Sequence, residues 1–170
     1  MPLTLENIYY IGQTVAVLAV VVSLVAIYGQ MKQQAQLSLF NATKDIMNQF
    51  SALQTQLMTD ASLRHAIYKT TPLSEEEALQ VYMYTATRGA IWATLQWAYD
   101  AGQIDDKAFE DIAPDVHLTL AMSPNVADAL MKYIQDFPNT DDYRIFAPIR
   151  EERDKRKMAA QALQAEGLHE

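Results

Sequence analysis

IYYIGQTVAVLAVVVSLVAIYG, residues 8–29, is a run of 22 residues without a charge or a proline. A helix of that length rises about 33 Å, enough to cross a hydrocarbon core about 30 Å thick. Tyr9 and Tyr10 stand at one end and Tyr28 at the other. Their separation of roughly 28 Å along a helix suits phenol rings at both headgroup interfaces. Gln13, Thr14 and Ser23 are compatible with lipid, because a helix satisfies its own backbone and small hydroxyls bond back to preceding carbonyls. The run is therefore expected to be a transmembrane helix. A cleaved signal peptide would need a basic leader and an apolar stretch of only about 7–15 residues. The preceding MPLTLEN, residues 1–7, holds Glu6 and no Lys or Arg. A buried globular helix would show one apolar stripe, whereas Val and Ile here surround the whole circumference.

The flanks give an orientation. No Lys or Arg precedes the span, while Lys32 and Lys44, then Arg64 and Lys69, come after it. By the positive-inside bias the N-terminus faces out and the remainder is cytoplasmic. Tyr9, Tyr10, Tyr28 and Lys32 are the expected interface anchors. One face of the span is made of small residues, Gly12, Ala16, Ala19, Ser23 and Ala26, at spacings of 4, 3, 4 and 3. Small residues let helix backbones approach closely in lipid. The expected partners are thus the bilayer itself and other transmembrane helices, either copies of this one or those of a larger membrane complex.

Past Gly29 the helical pattern does not stop. Met31, Ala35, Leu39, Ala42, Ile46, Phe50, Leu53 and Leu57 form an amphipathic stripe. A Gln-rich neck, QMKQQAQ at 30–36, has no Gly or Pro to interrupt it. One long helix from about Leu5 to Thr59 is expected, coupling the anchor stiffly to the helical domain. Asp60 is a plausible cap for a short helix over Ala61–Tyr68. Ser74 with Glu77 three residues on is a capping box, opening a helix that runs to about Ala101 with Gly102 as its stop. Asp105-Asp106 starts a stretch that Pro114 must kink or restart. Ser123-Pro124 starts a helix over about 124–137. A last segment begins near Thr140–Asp142, meets Pro148 and continues through pairs Glu151–Lys155 and Glu152–Arg156. No strand-type alternation or repeat is seen. The expected fold class is all-α: one N-terminal transmembrane helix continuing as a long helix into a small soluble helical bundle. It divides into a tail (1–7), the span (8–29), a helical domain (30–149) and a charged C-terminal helix (150–170).

Composition excludes several chemistries. The 170 residues carry 13 Lys+Arg against 21 Asp+Glu, a formal net charge of −8, and no Cys. Disulfides, thiolate catalysis and Cys-ligated zinc are ruled out. The acidic balance argues against nucleic acid as a partner. His65 and His117 lack a second ligand at helical spacing, and His169, three residues after Glu166, lies in the C-terminal tail, so no metal site is expected. An EF-hand register laid on Gly102 would put Trp97, Tyr99 and Ala101 at the first ligand positions and Ala108 where a bidentate Glu belongs. That register fails. Most acids fall in helix first turns, where capping accounts for them. Phosphate loops, nucleophile elbows and zinc-protease motifs do not occur. No cofactor and no catalytic residue is assigned. Trp92, Trp97 and Tyr99 on an aromatic-rich helix could form a partner or ligand surface, against the simpler reading that they are core. The basic run Arg150–Lys157 is interleaved with acids and nets only +2, as expected of a solvated helix.

Ile11–Leu24, the neck Gln30–Gln36, WATLQWAYDAGQIDDKAF at 92–109 and Ser123-Pro124-Asn125-Val126 together carry a resemblance. In this order they resemble a widespread group of small, mostly uncharacterised bacterial single-pass membrane proteins, over roughly residues 6–147. The resemblance implies a membrane-anchored helical domain in the bacterial inner (cytoplasmic) membrane and supplies no catalytic residues. The expected function is a non-enzymatic interaction or scaffold module. The alternatives are an accessory subunit of a larger membrane complex and a membrane-anchored small-ligand sensor.

Overall fold

The computed structural model describes residues 5–140 and 142–166. The described residues are 87% helical and include no strand. It divides into two compact units, Met1–Asn41 and Ala42–Glu170. The division falls inside the first helix, α1 (Leu5–Thr59), twelve residues beyond the boundary expected at Gly29. In the first unit the described chain is all α1, and every residue from Tyr9 to Ser38 is exposed. Met31 and Ala35, expected to begin an apolar packing stripe, are therefore uncovered. The stripe becomes core only in the second unit, where Ile46 and Leu53 are buried and Ala42, Phe50 and Leu57 pack against them.

Short-range signals set the remaining helices. α1 ends where the Arg64 guanidinium donates back to the carbonyls of Leu57, at 3.0 Å, and Met58. These are among the last carbonyls of α1, which lack helical donors. The Asp60 carboxylate then accepts from the Leu63 N–H at 2.9 Å and starts α2 (Ala61–Tyr68). α3 (Glu75–Asp100) opens on a complete capping box between Ser74 and Glu77. It closes at Gly102, whose φ of 68° is a conformation that costs glycine nothing. Asp105 caps α4 (Asp106–Ile112). Pro114 does not kink a continuous helix. It ends α4 and stands as the cap of α5 (Asp115–Leu120). Ser123 caps α6 (Pro124–Asp136), with Pro124 in its first turn.

Two 3-10 turns, Pro138–Thr140 and Arg144–Phe146, lead into α7 (Ala147–Glu166). Pro148 lies in the first turn of α7, where its missing N–H breaks no bond. The boundary expected at residue 149 consequently falls within a continuous helix. His169 and Asp141 lie outside the described residues.

α3 is the centre of the second unit and is buried over a wide arc: Val81, Tyr84, Thr85, Arg88, Ile91, Trp92 and Leu95. It packs chiefly on α6 and α2. Gly89 lets α3 and α6 come close, since a Cβ there would come within 2.7 Å of the Tyr133 ring. Trp92, Phe109, Phe146, Leu130 and Ile149 fill the interior. Two amides, the buried Gln96 and the half-buried Asn125, stitch distant segments together. Gln96 accepts from the Ile145 N–H at 3.0 Å, and Asn125 donates to the carbonyls of Ala66 (3.0 Å) and Lys69 (2.9 Å) at the end of α2.

Candidate functional site

The first candidate is the apolar surface of α1. It is the one helix among the described residues long and apolar enough to cross a membrane. Val15, Leu18, Val22, Val25 and their neighbours stand out on every side, and none is buried. The aliphatic hydroxyls in this run, Thr14 and Ser23, are closed on their own helix. Thr14 donates to the Tyr10 carbonyl and Ser23 to the Ala19 carbonyl, each at 2.8 Å. Tyr9, Tyr10 and Tyr28 are exposed, the first two meeting edge to face. Of the small residues Gly12, Ala16, Ala19, Ser23 and Ala26, all are exposed. A Cβ on Gly12 would meet nothing within 4 Å, so no packing inside the chain requires glycine there.

The second candidate is a buried ion pair in the other unit. Arg88 projects from the middle of α3 with one turn of aromatic residue on either side, Tyr84 and Trp92. Its Nε and Nη2 donate to the two oxygens of Asp115 at 3.0 and 2.5 Å, and its Nη1 donates to the Tyr84 hydroxyl at 2.8 Å. The Trp92 indole N–H adds a third donor to Asp115 at 3.0 Å. The Phe50 ring of α1 lies over the guanidinium, 5.9 Å from centroid to Cζ. Burial works against the charge on Arg88, but the Asp115 carboxylate and the Tyr84 hydroxyl outweigh it and hold its pKa above the ordinary value.

A cavity of about 310 Å³ opens above this pair, walled by Phe50, Ser51, Gln54, Pro114 and Leu118. Chemically the cluster is a lock. Arg88 cannot give up its proton, and Asp115 is held by three donors, so neither group is a ready base or nucleophile. What it does is pin α3, α5 and α1 to one another.

The expected aromatic surface is corrected. Trp92 is fully buried (0% exposed), its ring edge to face with Phe146. Trp97 is 65% exposed and points elsewhere. Tyr99 is half-buried against Phe109, with its hydroxyl donating to Asp106 at 2.6 Å. Five residues of helix turn through about 140°, so Trp92 and Trp97 cannot share a face. His65 and His117 are both exposed, and no group of three or more His, Asp or Glu that could hold a metal occurs among the described residues.

Sequence reasoning missed Arg88, Asp115, Gln96 and Asn125. The one signal available was an arginine at i+4 from Tyr84 and i−4 from Trp92 on an otherwise apolar face.

The chain matches no family model, no curated protein and no solved structure.

Proposed function

We propose that this protein is a single-pass membrane protein, without enzymatic activity, whose helical domain serves as an interaction or scaffold module. The observation that carries the reading is the uncovered apolar circumference of α1 between Tyr9 and Tyr28. Burying one Val or Leu side chain is worth about 1.5–3 kcal/mol, so a surface of this kind is costly in water and stable in lipid. The paired tyrosines and the Lys residues beyond the span support an inner-membrane position with the helical domain in the cytoplasm. The exposed small-residue face, from Gly12 to Ala26, supports packing against another transmembrane helix. The locked state of Arg88 and Asp115 supports a domain that presents surfaces and does no chemistry.

The test is the mass and composition of the particle extracted natively in mild detergent. A multiple of the 19.2 kDa chain is the expected result and marks a self-assembling scaffold. Other chains at fixed stoichiometry would replace this with the accessory-subunit reading. A lone monomer in every mild detergent overturns both.

A further inference from the structure

We infer that the cavity above Arg88 and Asp115 binds a small neutral carbonyl compound, an amide or an ester, whose oxygen accepts a hydrogen bond from the guanidinium. The site is separate from the helix-packing surfaces proposed above and stands without them. Its volume of about 310 Å³ lies at the small end of ligand cavities, which run from about 300 to 1,000 Å³.

The floor supplies the donor. A guanidinium carries five N–H groups. Arg88 uses three of them within the protein, one from Nε and one from Nη2 on Asp115 and one from Nη1 on the Tyr84 hydroxyl. Nη1 and Nη2 each keep a second N–H. Arg88 lines the cavity although it is only 8% exposed. An acceptor placed there gains more than it would at the surface, because a hydrogen bond to a charged donor strengthens where water is excluded. Asp115 is the opposite case. Its two oxygens already accept from Nε, Nη2 and the Trp92 indole, so the floor donates more readily than it accepts.

Charge decides the kind of acceptor. Arg88 and Asp115 cancel one another, and Asp111 on the same lining leaves it net negative. A carboxylate or phosphate would meet two like charges, and an ammonium would meet the guanidinium, each juxtaposition being costly. An uncharged oxygen avoids both. The rim is apolar, with Met47 and Leu118 exposed beside Phe50 and Pro114. A short hydrocarbon tail on the carbonyl would cover them.

The absence of native cysteine makes the test direct. Ser51→Cys puts a sole thiol on the cavity wall, and Met83→Cys, exposed on α3 outside the cavity, is the control. Each full-length variant, in mild detergent, is equilibrated with equal amounts of three small thiols in a disulfide-exchange buffer, and its mixed disulfides are weighed by mass spectrometry. The thiols are N-acetylcysteamine, a neutral amide; cysteamine, an ammonium; and 3-mercaptopropionate, a carboxylate. The ratio of the amide adduct to either charged adduct should be about fivefold higher at position 51 than at position 83, the worth of one net hydrogen bond. Replacing the acetyl group by hexanoyl should widen that difference. The same distribution at both positions marks a water-filled cleft and overturns the inference, as does a preference for either charged thiol at position 51. Adding Arg88→Met/Asp115→Leu to Ser51→Cys should return the distribution to that of the control, and a preference that persists overturns the guanidinium as the donor. The order of the three thiols is read with the ion pair intact, so that comparison decides the inference even where the double change does not fold.

Discussion

Removing one partner from a buried ion pair typically costs about 3–5 kcal/mol, because the survivor is left charged and undersolvated. Arg88 is 8% exposed, whereas Asp115 keeps an edge toward the cavity, so the lower end applies. Asp115→Leu should cost about 3 kcal/mol, read as a lowered thermal midpoint of the full chain in mild detergent. The double variant Arg88→Met/Asp115→Leu should recover a large part of that loss. A double variant as unstable as the single one would show that packing, not charge, is at stake. Gly89→Ala sets helix propensity against steric room. The alanine gains up to about 1 kcal/mol, but its methyl meets the Tyr133 ring, and overpacking costs about 1–3 kcal/mol. A net destabilisation is expected by the same measurement, and Tyr133→Leu should remove it.

Glu77 supplies a third residue-scale outcome. Hydrogen bonds from Lys69 Nζ, then from the Ser74 N–H, hold its pKa at about 2, below the ordinary 4.5. Its contribution to the start of α3 is therefore complete above pH 4.5 and fades as pH falls toward about 2. Acid unfolding of Glu77→Gln should lack this component, so the two curves should converge at the acid end.

At the scale of elements, the small face of the span should be replaceable only at a cost in association. Gly12, Ala16 and Ala19 changed together to Leu should lower the yield of span-to-span crosslinks in a bilayer, and an unchanged yield would rule out packing through that face. Helix boundaries were the most legible part of this fold. Asp60, Ser74 with Glu77, Asp105 and Ser123 each declare a helix start within three residues, because a cap is a local hydrogen bond. Periodicity was less informative about cover. Met31 and Ala35 continue the stripe that Ile46 and Leu53 bury, yet nothing in a repeat of 3 and 4 tells where packing begins. Arg88 and Asp115 were illegible for a related reason. Their 27-residue separation spans the turn at Gly102 and all of α4, and only the folded chain brings them together.

For the molecule as a whole, the orientation is open to a chemical test. Met83 is exposed on α3, and Met83→Cys would be the sole thiol in the chain. With the proposed cytoplasmic placement of the helical domain, it should resist a membrane-impermeant maleimide in intact cells and react once the membrane is permeabilised. Labelling without permeabilisation would reverse the topology.

The contrast between the two tryptophans has an optical consequence. Trp92 sits in the dry interior with its N–H on a carboxylate, and Trp97 faces solvent. Iodide should therefore extinguish the emission of one and spare that of the other. Trp97→Phe would leave a bluer, quencher-resistant signal that tracks the core, and Trp92→Phe a redder one that tracks the surface. The molecule thus contains its own pair of lamps, one for folding and one for whatever settles on its outer face.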